Sequence, residues 1–260
     1  GVASVPSGVA DETFRPGVTA KALGNLEEQR KKYKENNFVI YTEDFFDKAT
    51  FAAIQEEVKR LWKSQDIEAN CNLDGTNRLG GYVLDHLPRD SSLYSLIYGN
   101  EDFRRWVSEV NGEGSMWPSD FPIEVREYGV NSKGMQCHSD LQMYAVQKRD
   151  LEFAFTVDNF SRCNVTYRDA AEKVHTVHTR ANSVMMVRVD AARHCVSATE
   201  GGHRTILKFI YVGDYRKSRD FWLYTANECA ESNPNVQVVQ QRRDDGEEYV
   251  GPRGASIAEL

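Results

Sequence analysis

An α+β domain, with helices first and a jelly roll after them, is the fold class that the 260-residue sequence predicts. Three observations predict it. The first hundred residues carry apolar side chains at helical spacing. From residue 121 to about residue 213 short β-rich segments follow one another closely, divided by turn residues. No helix-length stretch separates those segments, as parallel βαβ units would require, so a barrel or jelly roll fits better.

Taken in order, residues 1–20 contain Pro6 and Pro16 without periodicity and read as a flexible lead-in. Residues 22–34 form a charged, solvated helix. Phe38 to Tyr41 is a short strand, and Thr42-Glu43-Asp44 opens the next helix with early acids. Phe51, Ile54, Val58 and Leu61 recur at helical spacing, so residues 48–63 are expected to bury that face. Residues 64–91 are polar and turn-rich and read as a long functional loop. Two short helices, 92–98 and 101–110, turn Leu93, Leu96, Ile97, Phe103, Trp106 and Val107 inward. The strands then fall at 122–128, 136–146, 151–158, 163–168, 174–179, 183–189, 194–198 and 204–212. A single domain over residues 21–232, with its barrel core at about 121–213, leaves a polar C-terminal tail over 233–260.

Composition limits the function. Hydrophobic residues make up 40% of the chain, ordinary for a soluble globular protein. The net charge of −7 lacks the basic excess of a nucleic-acid binder, so no nucleic-acid partner is expected. No apolar run reaches the roughly 20 residues of a membrane helix, so no span is expected. Five cysteines, Cys71, Cys137, Cys163, Cys195 and Cys229, are odd in number and irregular in spacing. They read as free thiols in a reducing compartment, cytoplasm or organelle stroma, a plastid included.

The chemistry gathers in two places. In Gln136-Cys137-His138-Ser139-Asp140, strand alternation sends His138 and Asp140 to one face and Cys137 to the other. Downstream, His194 to Leu207 reads as strand, Gly201-Gly202 turn and strand, which returns Arg204 to the side of His194. Two imidazoles and one carboxylate on one octahedral face leave three positions open, which suits Fe(II) oxygenases. Structural zinc sites instead close with four protein ligands. Arg204 supplies a guanidinium that can grip a carboxylate through two parallel hydrogen bonds. Lys208, of the same strand parity, is the fallback for that contact.

The pattern His138-x-Asp140, His194 54 residues later and Arg204 ten beyond it resembles the Fe(II)/2-oxoglutarate dioxygenase superfamily, prolyl-4-hydroxylase-like branch. The resemblance covers about residues 36–213. It implies a double-stranded β-helix (jelly-roll, cupin-like) core with supporting N-terminal helices. It further implies iron on His138, Asp140 and His194, with 2-oxoglutarate held by Arg204, Tyr128 and Thr205. O2 is then the second co-substrate, ascorbate a reductant in keeping with the family, and succinate and CO2 the released products. Asn182 matches the Gly or Asn the family places before the strand that follows it. Collagen-type prolyl hydroxylases carry Lys where Arg204 stands, a departure from peptidyl-prolyl hydroxylation. Halide-transferring members replace the carboxylate that Asp140 retains, so hydroxylation or desaturation is expected. The run Trp117 to Glu124, continuing at His138 to Tyr144, is similar to algal plastid members such as chlorophyll c synthase, which oxidises a tetrapyrrole side chain.

Arg126 and Arg188 are candidates for an acidic substrate group, or for pairing with Glu124 and Asp190. Gln142 and Tyr144 share the parity of His138 and are expected to line the same cavity. His175 and His178 fall on opposite faces of a strand and make a poor chelate. His203 and His86 read as exposed. Trp62, Tyr82, Trp117, Trp222 and Tyr224 offer either a wall for a small-molecule or hydrophobic metabolite or plain packing. A cupin-like metalloenzyme that does not use 2-oxoglutarate is the rival reading. Oligomeric state is open.

Overall fold

Two antiparallel sheets face each other, and the residues of the chemistry lie between them. The computed structural model describes residues 16–64, 70–73, 76–79, 91–121, 123–144, 149–221, 238–242 and 248–252. The larger sheet runs in the order β1 (Val39–Glu43), β10 (Ser183–Arg188), β7 (Leu151–Asn159), β12 (Arg204–Val212), β5 (Glu124–Tyr128), β3 (Thr76–Leu79) and β2 (Asn70–Leu73). A two-residue strand, β4 (Trp117–Pro118), also pairs with β12. The smaller sheet runs β6 (Met135–His138), β11 (His194–Val196), β8 (Val165–Arg168) and β9 (Val174–Val177).

The larger sheet sorts its side chains by strict alternation. On β12, Arg204, Ile206 and Lys208 face the space between the sheets. Leu207, Phe209 and Tyr211 face the helices. On β7 the inward residues are Glu152 and Ala154, and on β10 they are Met185 and Val187. Their neighbours Phe153, Phe155, Val184 and Met186 join the helix-side core. There Phe45, Phe103, Trp106, Phe153, Phe209 and Tyr211 pack ring against ring with centroids 4.8–6.2 Å apart. Each such buried side chain contributes roughly 1.5–3 kcal/mol. The result is a rigid back wall that fixes which residues of the sheet look inward.

The supporting helices form where the sequence supplies caps. Asn25 accepts from the backbone of Glu28 to start α2 (Leu26–Glu35), whose early acids and late lysines suit the helix dipole. That cap, after extended Gly24, splits the expected 22–34 helix into α1 (Ala20–Leu23) and α2. The expected amphipathic helix appears as α3 (Lys48–Ser64), with Ile54, Val58 and Leu61 buried and Phe51 half-buried against the core. Next come α4 (Ser92–Tyr94), a π-turn at Ser95–Gly99, and α5 (Glu101–Asn111). Asn100 caps α5, and Gly112 ends it in the left-handed conformation.

Several boundaries differ from the sequence reading. Residues 16–20, read as part of the lead-in, are docked: Gly17 donates to Thr50 and Val18 bridges to Phe46. The stretch read as the loop 64–91 contains the β2–β3 hairpin, which extends the larger sheet through pairing of β3 with β5. The tail contains an antiparallel hairpin of Val238–Arg242 with Glu248–Pro252. The strand expected over 136–146 ends at His138. Beyond it the chain follows Asp150, whose carboxylate accepts the N–H groups of Met143 and Tyr144 at 2.8 and 3.0 Å. Those bonds draw the segment away from ladder pairing. Among the described residues no helix is long and apolar enough to cross a membrane.

Candidate metal and 2-oxoglutarate site

His138 and His194 stand opposite each other in the pairing of β6 with β11. Their rings approach to 4.6 Å between centroids. Asp140 follows the end of β6 and closes the triangle: Oδ1 lies 3.5 Å from His138 Nε2, and Oδ2 lies 3.5 Å from His194 Nε2. One ligand atom from each residue falls within 4.8 Å of the others. His138 Nδ1 lies 2.8 Å from the carbonyl of Gln136, and His194 Nδ1 lies 3.3 Å from that of Ala192. An N–H donated there fixes the tautomer that leaves both Nε2 lone pairs free for a metal.

The electrostatics agree with that use. Burial acts to raise the Asp140 carboxyl, but the Lys208 ammonium and both imidazoles outweigh it and hold the group below the usual carboxylate range. Burial pushes His194 down, toward the neutral form. A deprotonated acid and a neutral imidazole are the states a metal requires. Asp140 Oδ2 is buried and has no hydrogen-bond partner among the described residues.

Arg204 completes the cavity. It is 2% exposed, yet its Nε and Nη1 lack partners among the described residues. A buried guanidinium left so is costly unless an anion joins it. Tyr128 pairs with Arg204 in register, lines the same cavity, and places its ring centroid 5.5 Å from the guanidinium carbon. Val165, Met185, Val187, Val196 and Ile206 supply an apolar lining. These donors fit an octahedral oxygen- and nitrogen-liking cation beside a dicarboxylate.

Other expected residues divide. Arg126 lines the cavity and pairs at 2.5 Å with Glu124, one of the two roles foreseen for it. Lys208 also lines it, bound to Glu152 and 3.8 Å from Asp140 Oδ1. Thr205 is buried but shares the parity of Leu207 and does not line the cavity. Arg188 lies over the ring of Phe38 and pairs with Glu113, not with substrate space or Asp190. Gln142 donates to Tyr144 O and Asp150, and Tyr144 is buried against Phe121 and Phe221 with its hydroxyl on Asp120. Neither lines the cavity, because the strand stops at His138 and the alternation of faces ends with it. His175 pairs with Asp169, and His178 meets the carbonyl of Cys163, so neither is a ligand. His203 meets the Phe160 ring edge-on beside Asp158. Trp117 is 44% exposed beneath Arg104, outside the cavity. His86, Tyr82, Trp222 and Tyr224, like the side chain of Trp62, lie outside the described residues.

Two features escaped the sequence reading. Glu152 sits in the cavity, a placement that needs the strand order to be known. Cys137 and Cys195 form a disulfide, with Cα atoms 4.2 Å apart, whereas both had been expected as free thiols. Cys163 is the buried free thiol among the described residues. The cross-link removes the ground for assigning a reducing compartment. Its sign in the sequence is faint: each cysteine neighbours one of the two histidines of the candidate site and shares the outward face.

No family model and no curated protein matches the chain. Solved structures do. The epimerase SnoN of nogalamycin biosynthesis, in complex with Fe3+, α-ketoglutarate and nogalamycin RO, matches with a TM-score of 0.65 at 10% identity, over 89% of this chain and 96% of that one. A Trichoplax adhaerens prolyl hydroxylase bound to a hypoxia-inducible-factor peptide matches with a TM-score of 0.56 at 13% identity, over 75% and 93%. A Pseudomonas putida prolyl-4-hydroxylase matches with a TM-score of 0.55 at 12% identity, over 72% and 98%. At these identities the likeness establishes the fold: the chain has the double-stranded β-helix of the Fe(II)/2-oxoglutarate oxygenases.

Proposed function

We propose that this chain is a non-haem Fe(II)- and 2-oxoglutarate-dependent dioxygenase that hydroxylates or desaturates a small-molecule or hydrophobic metabolite. One observation carries the reading. Three donors converge to within 4.8 Å of one another, beside a buried guanidinium whose Nε and Nη1 have no partner among the described residues. His138, Asp140 and His194 would hold the iron, and Arg204 with Tyr128 would hold the distal carboxylate of 2-oxoglutarate. Bound iron would supply, with 2-oxoglutarate and O2, the oxidant for removing a substrate hydrogen, one oxygen atom going to succinate as CO2 is lost. The protein's own part is placement. Arg204 fixes one end of the co-substrate, and the apolar lining excludes water. Retention of Asp140 supports oxygen insertion or desaturation over halide transfer.

Peptidyl-prolyl hydroxylation is the second reading, supported by the fold shared with prolyl hydroxylases. Arg204 in place of the collagen-type Lys weighs against it. A tetrapyrrole side chain is the specific metabolite to try first, on the strength of the Trp117–Glu124 run.

Anaerobic titration of the protein with Fe(II) and then 2-oxoglutarate should develop a weak visible charge-transfer band. Aerobic turnover, with ascorbate as reductant, should then release succinate, faster with a tetrapyrrole than with a prolyl peptide. Metal-dependent activity without succinate would establish the rival cupin-like enzyme instead. His138→Ala and Asp140→Ala should each abolish the band and the succinate; substantial turnover in both would refute the ligand assignment.

A further inference from the structure

The smaller sheet holds its ligands weakly. β6, which delivers His138, is four residues long and, among the described residues, lies at the sheet edge and pairs with β11 alone. β11, which delivers His194, is three residues long. Their register is His194 with His138 and Val196 with Met135, with an irregularity between, so the ladder that should align the imidazoles is broken next to them. By contrast, β12 pairs over most of its length with both β5 and β7. Short irregular edge pairings are the parts of a sheet that open most readily.

The disulfide lies at that weak point. Cys137 precedes His138, Cys195 follows His194, and alternation turns both sulfurs to the outer face while the imidazoles turn inward. Cys137 is exposed and Cys195 half-buried. The bond joins residues 58 apart, a long loop of the kind whose closure most restricts a chain. We propose that the Cys137–Cys195 disulfide is a positioning element of the metal centre, clamping the two histidine strands so that His138 and His194 hold a divalent metal together. The proposal rests on the metal reading above, and no sulfur ligates. Opening is a two-electron exchange: a dithiol transfers two electrons and two protons, the S–S bond breaks to two thiols, and the reductant leaves as its own disulfide.

Mn(II) alone is the probe, read by electron paramagnetic resonance on the full chain. Alkylation and peptide mapping first establish the bond: Cys137 and Cys195 should resist alkylation until reduced. Cys137→Ser/Cys195→Ser should then bind Mn(II) at least about tenfold more weakly, the range of lost supporting contacts around metal ligands. Cys163→Ser should bind as the unaltered protein does. If the double variant does not fold, the same loss should follow reduction of the unaltered protein with a phosphine and anaerobic removal of the reductant. A lower thermal midpoint with Mn(II) affinity unchanged within about twofold would overturn the proposal and leave only a structural staple. So would alkylation of both cysteines without reduction. Absence of Mn(II) binding by the unaltered, oxidised protein would instead overturn the metal reading, and this proposal with it.

Discussion

Arg204 stands directly across from Tyr128 in the β5–β12 ladder, and its guanidinium carbon lies 5.5 Å from the tyrosine ring centroid. The pair makes an aromatic floor and a cationic end for a ligand that enters between the sheets. Arg204 is also nearly inaccessible, with two nitrogens lacking a partner among the described residues. In the free protein that arrangement costs stability, which a bound carboxylate restores. Arg204→Met, of similar length, should therefore leave the thermal midpoint of the free protein no lower. The midpoint rise caused by 2-oxoglutarate should disappear, and the 2-oxoglutarate requirement should grow by at least tenfold, as about 2–5 kcal/mol for a lost buried charge partner implies. Arg204→Lys should recover part of it, since one ammonium replaces a two-pronged grip. An unchanged requirement in Arg204→Met would move the co-substrate contact elsewhere.

Lys208 is the cation to which suspicion would move, and its neighbours give it a different task. Its ammonium is bound to Glu152 and lies 3.8 Å from Asp140 Oδ1, near the metal donors. Lys208→Met combined with Glu152→Gln removes both charges and strands neither. This variant should leave the 2-oxoglutarate requirement within about twofold while weakening Mn(II) binding by about tenfold, the magnitude typical of groups that orient a ligand. A large rise in the 2-oxoglutarate requirement with normal Mn(II) affinity would reverse the two roles.

Gly134 sits just before β6 with φ +75°. A Cβ there would collide with the carbonyl oxygens of Val196 and Ser197, so the close approach of the chain before β6 to the end of β11 requires glycine. Gly134→Ala should cost more than about 1–2 kcal/mol from the backbone conformation alone. Because the collision lies between β6 and β11, hydrogen exchange should rise at the amides of those strands before it rises in β7 or β12. A uniform rise across both sheets would contradict this local account.

What could be read beforehand follows from the range of the interactions involved. The strands β7, β10 and β12 announced themselves because each is buried on both faces or alternates cleanly, and periodicity is a local property. The convergence of His138, Asp140 and His194 beside Arg204 was legible because ligand chemistry limits residue type and strand alternation places His194 and Arg204, while Asp140 reaches the same face from just beyond the end of β6. Gln142 and Tyr144 were misplaced by the same rule, since Asp150, several residues further on, ended the alternation by taking the local N–H groups. The pairing of β3 with β5, the Lys208–Glu152 contact and the Cys137–Cys195 bond join distant parts of the chain. None leaves a periodic trace, and an odd cysteine count pointed away from the disulfide.

Asp150 offers a test through pH. Burial pushes its carboxyl up to about 7, against the opposing pull of the Tyr144 and Met143 N–H groups, the Gln142 amide and the Arg149 charge. An acid with a folded pKa above its unfolded value near 3.8 binds its proton more tightly when folded. Its contribution to stability is therefore complete below about pH 4 and is lost as pH rises to about 7. Asp150→Asn cannot titrate. The urea midpoint of the unaltered protein, taken relative to that of Asp150→Asn, should fall between pH 4 and pH 7 and level off above. The segment that Asp150 anchors begins directly after Asp140, so Asp150→Ala, which also deletes the acceptors, should weaken Mn(II) binding as well as folding. A difference curve that rises with pH over that window would show the carboxylate to be the form the fold prefers.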